Sequence, residues 1–556
     1  MSMVCVPIMV EEANNALLDA SLAQAKGADL VEFRVDLLFE EREDETLDAR
    51  IARVLELAKE SPLPCIVTCR PHWEGGDYHG DDTDRIALYE ALCTSEFPPA
   101  YIDVELLTFN HSAETRERIG DVVTTESTTG TPATRLILSS HDFDGRPNDL
   151  TRKIIAMNDE PACSVVKIAY RARSIRDNLE VFEILRDRQK PTIALCMGEF
   201  GLMSRVLAPK FGGLLTFASL RDEEMTAPGQ PTIDELLGLY RFRSIKATTK
   251  VYGIIGWPVT QSMSPLVHNA GFEKIGWDGV YVPMPVEGSY ESFKATLAMF
   301  IDEDEFYGLS VTIPHKEHLV QFFKEKDRFL VDGDCSAANT IYREIERWHE
   351  DGEDHQLITQ PLISNTDTTA IQHLLLKHFG KLSGLQVLVM GAGGVAQAVL
   401  EVFRKHGTEV AIWNRNLDRA QQIVDDIENL SSQDPLRIRC RTVNQQDLSS
   451  LAFDAYINCT PVGMTGGPNP DGLSIPIPDM PPLQPETVFF DTVYNPVETP
   501  MLKAAKERGY RTIDGVQMFV KQAEAQFELW TGESAPDGLF DQLVRTKLGE
   551  SESEPI

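Results

Sequence analysis

The sequence predicts an α/β protein: a (β/α)8 barrel, then a second α/β module of two smaller units. Three observations predict it. Eight apolar, β-branched runs recur through the first 240 residues, most of them separated by stretches with helical spacing. A new strand at Val251–Gly256 restarts the pattern after a short connection. From Gln386 to His406 an apolar strand, a glycine-rich turn and a helix follow one another, as in a Rossmann-type sheet.

The eight runs are Val4–Val10, Leu30–Asp36, Cys65–Arg70, Tyr101–Leu106, Arg135–Phe143, Ser164–Tyr170, Thr192–Gly198 and Gly213–Leu220. Between them, Ala16–Lys26, Ile51–Lys59, Arg85–Leu92 and Asn178–Arg188 carry helical spacing. Strands alternating with helices imply a parallel sheet, and eight repeats at this length imply a closed barrel. A last helix, Thr232–Phe242, ends a barrel spanning 1–242. A linker at 243–250 leads to an α/β unit over 251–367, a Rossmann unit over 368–514, helices over 515–548 that return to the 251–367 unit, and an acidic tail at 549–556.

Composition narrows the class. At 556 residues the chain exceeds one core, and 42% hydrophobic with 25% charged residues suits an ordinary globular protein. No apolar run reaches membrane-spanning length. The N-terminus enters a strand by Val4 without a basic or Arg/Ser-rich leader, so a cytoplasmic location is expected. A formal charge of −34 argues against nucleic acid or an anionic membrane as partner. An anionic small molecule would then need locally focused arginines. The nine cysteines are scattered, which suggests reduced thiols. Cys65-x3-Cys69 lacks a second ligand pair and reads as core packing, so no metal is expected.

Lys167 stands inside Ser-Val-Val-Lys-Ile-Ala-Tyr (164–170). A lone lysine in such a run can snorkel from an edge strand. One buried in a barrel must find a partner or a chemical role, and a neutral amine in a polar pocket attacks ketones to form a Schiff base. Its surroundings favour the chemical role. Barrel chemistry sits at the C-terminal strand ends, and there the chain places Glu32, Arg34, Arg70 with Glu74, His141, Lys167, Arg205 and Gln230.

In the second half, Gly391-Ala-Gly-Gly-Val395 lies between the strand Gln386–Met390 and a helix from Ala396, which lets backbone N–H groups approach a pyrophosphate. Ala396 replaces the third glycine of the usual fingerprint. The next strand, Glu409–Trp413, ends in Asn414-Arg415 with Arg419 a turn later. Arginine there suits a ribose 2′-phosphate, where a carboxylate would suit the 2′-hydroxyl, so NADP is the expected cofactor. A helix-start arginine without a ligand is the other reading of Arg415. Gly308–Lys316 is a strand ending in proline and then lysine, and Asn365-Thr-Asp367 opens a helix. Lys316 and Asp367 can form a proton-transfer pair. Ser262-Met-Ser264-Pro265 opens another helix, with hydroxyls and N–H groups suited to a carboxylate.

These motifs carry a family resemblance. Glu32-Phe-Arg-Val-Asp36, Thr68-Cys-Arg70 with Glu74-Gly-Gly76, Ser139–Phe143, Val166-Lys-Ile168, Ser204-Arg205 and Ala227-Pro-Gly-Gln230 resemble type I 3-dehydroquinate dehydratase. Val311–Lys316, Ala338-Asn-Thr340, Asn365-Thr-Asp367, Gly391–Gly394, Asn458–Gly463, Asp491-Thr-Val-Tyr494 and Gln522 resemble shikimate dehydrogenase. Together they resemble the fused enzymes of the shikimate pathway. The resemblance implies Lys167, His141 and Glu74 as catalytic in the first half, with Glu32, Arg34, Arg70, Arg205, Thr226 and Gln230 on the substrate and neighbouring arginines acting on Lys167 by like-charge repulsion. In the second it implies Lys316 and Asp367 as catalytic, and Ser262, Ser264, Thr312, Asn339, Tyr494 and Gln522 on the substrate. It assigns Gly391, Ala392, Gly393, Gly394, Val395, Asn414, Arg415, Arg419, Thr492 and Gly515 to NADP(H). Small-molecule substrates are the implied partners, and 251–367 the substrate-binding unit. A quinate dehydrogenase and a non-catalytic quinate sensor are the alternatives. Three positions depart from the family pattern: Ile363 and Ala370 replace glycines flanking Asp367, which would narrow its turn, and Asn416 replaces a threonine beside the 2′-phosphate.

Overall fold

The computed structural model describes the chain except residues 1, 41–44, 125–133, 222–228, 260, 303–304, 327–335, 351–352, 359, 405, 431–437, 445–447, 449–450, 478–479, 481 and 550–556, and describes only the backbone of the hairpin within 345–358. Met1–Thr249 makes up most of one compact unit, and Lys250–Tyr281 with Val286–Ile556 makes up the other.

The first unit contains eight parallel strands: β1 (Met3–Met9), β2 (Leu30–Arg34), β3 (Cys65–Thr68), β4 (Tyr101–Glu105), β5 (Arg135–Asp142), β6 (Cys163–Arg171), β7 (Thr192–Met197) and β8 (Leu215–Phe217). Their order is β7-β6-β5-β4-β3-β2-β1-β8. Beyond the paired strands, the Leu214 N–H donates to the Thr192 carbonyl at 2.8 Å and draws the entry to β8 against the start of β7. The barrel interior is filled by Cys5, Leu30, Ile66, Tyr101, Ile137, Val165, Ile193 and Leu215 among others, while outward-facing partners such as Val6, Val31 and Val67 are equally buried. Burial on both faces is why these strands read as unbroken apolar runs.

The helix expected at Thr232–Phe242 is different. Thr232 and Glu235 form a reciprocal cap, with Glu235 N–H on the Thr232 hydroxyl at 3.1 Å and Thr232 N–H on the Glu235 carboxylate at 3.0 Å. The turn that follows is a wide π-type one, Glu235–Leu239, closed by Tyr240 N–H on the Glu235 carbonyl at 3.0 Å. Gly238 weakens it, and Arg241 at φ 52° breaks it before a 3-10 turn, Phe242–Ser244. That turn occupies the first part of the expected linker.

The second unit opens with β9 (Lys250–Gly256), β10 (Gly279–Pro285), β11 (Phe306–Val311) and β12 (Thr340–Tyr342), then the hairpin β13 (Ile345–Glu350) and β14 (Glu353–Ile358), then β15 (Leu362–Ser364). The five-stranded sheet runs β10-β9-β11-β12-β15. β9 and β11 are parallel, and β12 is antiparallel to both β11 and β15. Next come β16 (Gln386–Met390), β17 (Glu409–Trp413), β18 (Arg439–Thr442), β19 (Ala455–Asn458), β20 (Val488–Asp491) and β21 (Arg511–Ile513), in the order β18-β17-β16-β19-β20-β21. β16 shows the logic of this sheet: Val387 and Val389 enter one core, Leu388 and Met390 the other. The order reverses direction at β16/β19, the switch point where an open parallel sheet binds its ligand. Finally, the helix Gly515–Thr531, capped by Asp514 on the Gln517 N–H at 2.9 Å, packs Val516, Val520, Ala523 and Phe527 against the core beneath β9.

Candidate active sites

In the first unit, Glu32, Arg34, Arg70, Glu74, His141, Lys167, Arg205 and Gln230 line one cavity, with Phe143, Ala169, Leu195, Met197 and Phe217 between them. Lys167 projects from β6, almost fully buried. Its Nζ lies 2.7 Å from Asp103 Oδ2, 3.4 Å from Glu32 Oε1 and 4.8 Å from the centre of the Phe217 ring. Asp103 also accepts from Arg70 Nη2 at 2.8 Å and from the Ser139 hydroxyl at 2.6 Å. Arg70 Nη1 reaches Glu105 Oε1 at 2.7 Å, and Glu105 holds the fully buried Arg85 on its other oxygen. Arg34 is clamped by Asp36, which accepts the Arg70 and Asp77 N–H groups as well.

The arginines expected to act on Lys167 are not the only charges beside it, because Asp103 accepts from both Lys167 and Arg70. Three cations at one barrel mouth need compensating charge, and Asp103 and Glu105 supply it from the buried strand β4.

Arg205 is different. Its side chain is 2% exposed, and among the described residues no carboxylate pairs with it. Burial pushes its guanidinium down to about 10. A buried, unpaired arginine in a cavity is a receptor for an anion.

His141 is anchored through its backbone, whose N–H donates to Glu74 Oε1 at 2.8 Å. Its Nδ1 lies 3.9 Å from the same oxygen and makes no hydrogen bond. Burial, then Arg70 and Lys167, hold the ring well below the ordinary histidine range, so it is a neutral base. Glu74 is pushed up to about 7, mainly by burial and against the pull of Arg70. The turn behind Glu74 requires glycine: Gly75 has φ 77°, and a Cβ on Gly76 would stand 2.0 Å from the Arg70 carbonyl oxygen.

In the second unit, Ser262, Ser264, Thr312, Lys316, Asn339, Asp367, Tyr494 and Gln522 line another cavity, together with Val395, Thr492 and Gly515. Lys316 Nζ meets Asp367 Oδ2 at 2.5 Å, and Asn339 Nδ2 donates to Asp367 Oδ1 at 3.0 Å. Asn365 caps the helix Thr366–Phe379 by accepting the Asp367 N–H at 3.2 Å. Ile363 pairs with Ile341 across β12 and β15, and Ala370 is buried. Neither replacement keeps Asp367 from Lys316. The Ser264 N–H donates to the Ser262 hydroxyl at 3.2 Å. Tyr494 packs its ring 5.3 Å from Phe519, whose carbonyl accepts from Gln522.

Comparison with known proteins identifies this pairing of cavities. Residues 4–247 match the family Type I 3-dehydroquinase, 254–341 the Shikimate dehydrogenase substrate binding domain, 373–452 the Shikimate / quinate 5-dehydrogenase family and 515–545 the Shikimate 5'-dehydrogenase C-terminal domain. The chloroplastic bifunctional 3-dehydroquinate dehydratase/shikimate dehydrogenase of Arabidopsis thaliana is 35% identical over 558 residues, covering 98% of this chain and 84% of the relative. The chain belongs to the bifunctional 3-dehydroquinate dehydratase/shikimate dehydrogenase family. The Shikimate biosynthesis protein AroDE of Chlamydia pneumoniae is 26% identical over 90% of both chains. The NADP(+) shikimate dehydrogenase of Methanocella arvoryzae is 33% identical over 54% of this chain and 99% of its own.

The features expected of a nucleotide site in this family fit NADP. Gly391 has φ 113°, and a Cβ there would stand 2.9 Å from the Cys459 carbonyl oxygen. A Cβ on Gly393 would meet nothing within 4 Å, which leaves room for a ligand at the N-terminus of the helix Gly394–Arg404. Ala396 is fully buried in the core behind that helix. Arg415 and Arg419 are exposed after β17 without an ion-pair partner among the described residues, as a 2′-phosphate requires. Asn416 serves the backbone instead, because its side chain accepts the Arg419 N–H at 3.1 Å and starts the helix Leu417–Leu430. Asn414 turns its amide to the Asn416 carbonyl. Among the described residues, no group of His, Cys, Asp and Glu is placed to hold a metal, and no helix is long and apolar enough to cross a membrane.

Thr226 lies outside the described residues. The sequence reading missed Asp103, Glu105 and Ser139 around Lys167. It also missed Gln526, which lines the second cavity one helical turn beyond Gln522, accepts from the Ser310 hydroxyl at 2.9 Å and donates to the Thr340 hydroxyl at 3.0 Å. Spacing of four along one helix was the available signal.

Proposed function

We propose that the two cavities act in succession on one small-molecule substrate. As a member of its family the chain is a bifunctional enzyme of the shikimate pathway, a lyase and an NADP-dependent oxidoreductase. In the first cavity, Lys167 condenses with the ketone of 3-dehydroquinate, and the ketone oxygen leaves as water. The iminium acidifies the adjacent C–H bond, neutral His141 removes that proton, and the same ring returns it to the departing hydroxyl as water leaves. Glu74, ionised above about pH 7, stabilises the imidazolium between these two events. At the end water hydrolyses the product iminium to free 3-dehydroshikimate and restore the lysine. Arg205 grips the substrate carboxylate. Glu32 and Asp103 hold Lys167, and Arg34, Arg70 and Gln230 shape the cavity.

In the second cavity, Ser262 and Ser264 take the carboxylate of 3-dehydroshikimate, and Thr312, Asn339, Tyr494 and Gln522 its remaining oxygens. NADPH, when bound, supplies the hydride. Gly391–Val395, Thr492 and Gly515 form its cradle, with Asn414, Arg415 and Arg419 at the ribose. Lys316 and Asp367, in contact at 2.5 Å, manage the proton at the ketone oxygen. Residues 251–367 serve as the substrate-binding portion, 368–514 as the nucleotide-binding portion, and 515–548 as helices returning to the former. The chain acts in the cytoplasm.

One observation carries the reading: a buried Arg205, without a carboxylate partner among the described residues, shares a cavity with Lys167 and a neutral His141. A coupled assay tests it. Adding 3-dehydroquinate to the chain with NADPH should consume NADPH without any second enzyme. No consumption, in a preparation that still reduces 3-dehydroshikimate, would refute the first site.

A further inference from the structure

Lys316 opens the helix Lys316–Glu325, and the residue before it is held in an unusual way. The His315 ring is fully buried and stacked 4.8 Å from Phe293. Its Nε2 lies 2.9 Å from the Val286 carbonyl oxygen, and its Nδ1 lies 3.0 Å from Nδ1 of His318. Those two contacts fix the hydrogens. A carbonyl only accepts, so Nε2 carries the N–H. Two ring nitrogens 3.0 Å apart need one hydrogen between them.

The neighbouring groups decide who supplies it. Burial disfavours a charged His315. Among the described residues no carboxylate touches its ring: Val286 and Glu287 present backbone, the helix Tyr290–Asp302 presents Phe293 to it and Tyr290 to His318, and Lys316 is next in sequence. Neutral His315 with hydrogen on Nε2 offers a lone pair at Nδ1. His318, half-exposed beside Glu317, therefore donates from Nδ1. That arrangement survives protonation of His318, whereas protonation of His315 would set two N–H groups against each other.

His315 also joins two residues of the second cavity. Its N–H donates to the Thr312 carbonyl at 2.9 Å, and its own carbonyl accepts the Leu319 N–H at 2.9 Å in the first turn behind Lys316. A ring tethered at both nitrogens thus sets where that turn begins and where Lys316 Nζ arrives.

We infer that the His315–His318 pair, with His318 in the Nδ1–H tautomer, is a positioning device that holds Lys316 against Asp367. The inference rests on the reading of Lys316 as a group of the second site.

The test uses the full chain. His318→Leu removes the donor and should lower kcat for shikimate oxidation by roughly ten- to a hundredfold, the usual effect of a small misplacement of a reacting group. The KM for shikimate should change little, and dehydration by the first unit should be untouched. His318→Asn, whose amide N–H can replace the Nδ1–H, should recover most of the loss. A role limited to stability would not give this split between kcat and KM with its rescue. Long-range nitrogen–proton spectra of the histidine-labelled wild-type chain should show His315 as Nε2–H and His318 as Nδ1–H, which reads the device directly even if His318→Leu folds poorly. His318 as Nε2–H, or a His318→Leu enzyme with wild-type kcat beside an impaired Lys316→Ala enzyme, overturns the inference alone. A Lys316→Ala enzyme with near-wild-type kcat overturns the reading of Lys316 and the inference with it.

Discussion

Replacing Glu74 with glutamine removes one negative charge and little else. The amide keeps the shape, and its oxygen can still accept the His141 N–H now held at 2.8 Å. The proposed chemistry puts a positive charge on His141 when it takes the substrate proton, with Nδ1 3.9 Å from Glu74 Oε1. At an effective dielectric of about 20, that attraction is worth about 4 kcal/mol, or roughly a thousandfold in rate. Glu74→Gln should therefore lower kcat for dehydration by ~10³, within the range of a positioned acid–base partner. The pH profile should change too. Glu74 titrates near about 7 while His141 is held well below its ordinary range, so wild-type dehydration should rise through about pH 7, and the variant should lack that rise. Stability moves the other way. The folded carboxyl sits above its ordinary 4.5, so the native state binds the proton more tightly and loses stability as pH rises from about 4.5 to 7. The loss is about 3 kcal/mol. Glu74→Gln should recover much of it at pH 8 and nothing at pH 4.5, measured by hydrogen exchange in the first-unit strands. The enone product gives a direct optical assay, and shikimate oxidation by the same chain is the internal control. A variant within tenfold of wild type, or one that keeps the rise near neutral pH, would refute the role given to Glu74.

Borohydride added with 3-dehydroquinate should fix the ligand to the peptide holding Lys167, and Lys167→Ala should abolish dehydration while leaving shikimate oxidation intact; an adduct elsewhere rejects the first-site assignment. Arg415→Asp should shift cofactor preference from NADP toward NAD by roughly ten- to a hundredfold, since a charged contact of this kind is worth ~1–3 kcal/mol; an unchanged ratio shows that Arg415 does not read the phosphate. Lys316→Ala should lower kcat of shikimate oxidation by ~10²–10⁴. Ser264→Ala should act mainly on KM, because a carboxylate contact is made in ground and transition states alike.

What could be read from the sequence follows from what burial does to it. A strand covered on both faces has no polar side to show, so β1 to β8 appear as apolar runs, and a charged residue inside one stands out. Lys167 and His141 were legible for that reason. Asp103 and Glu105 lie in the same kind of strand but alternate with Tyr101, Ile102 and Val104, and alternation is also the pattern of a strand with one wet face. Only closure of the barrel makes both faces dry. The helix expected after Thr232 failed on a different point. Its cap was readable in Thr232 and Glu235, but the wide turn depends on Gly238 and the left-handed Arg241, conformations that spacing does not report.

Charge balance at the barrel mouth points to Asp103 from the sequence side. The expected mouth held Arg34, Arg70, Lys167 and Arg205 against Glu32 and Glu74, four cations to two anions in a chain whose formal charge is −34. Buried charge of one sign is not tolerated without partners, so the missing carboxylates had to come from strands with no assigned role. Among the eight runs, Tyr101–Leu106 is the one that carries two carboxylates and no expected site residue. In the folded barrel both of them pair with Arg70 and one with Lys167, which leaves Arg205 as the cation without a described carboxylate. The imbalance that remains after this pairing sits where a substrate carboxylate would bind. No comparable count applies to the second cavity. Gln526, Ser310 and Thr340 are neutral, their hydrogen bonds span up to 216 positions of chain, and neutral donors and acceptors leave no deficit for a sequence to reveal.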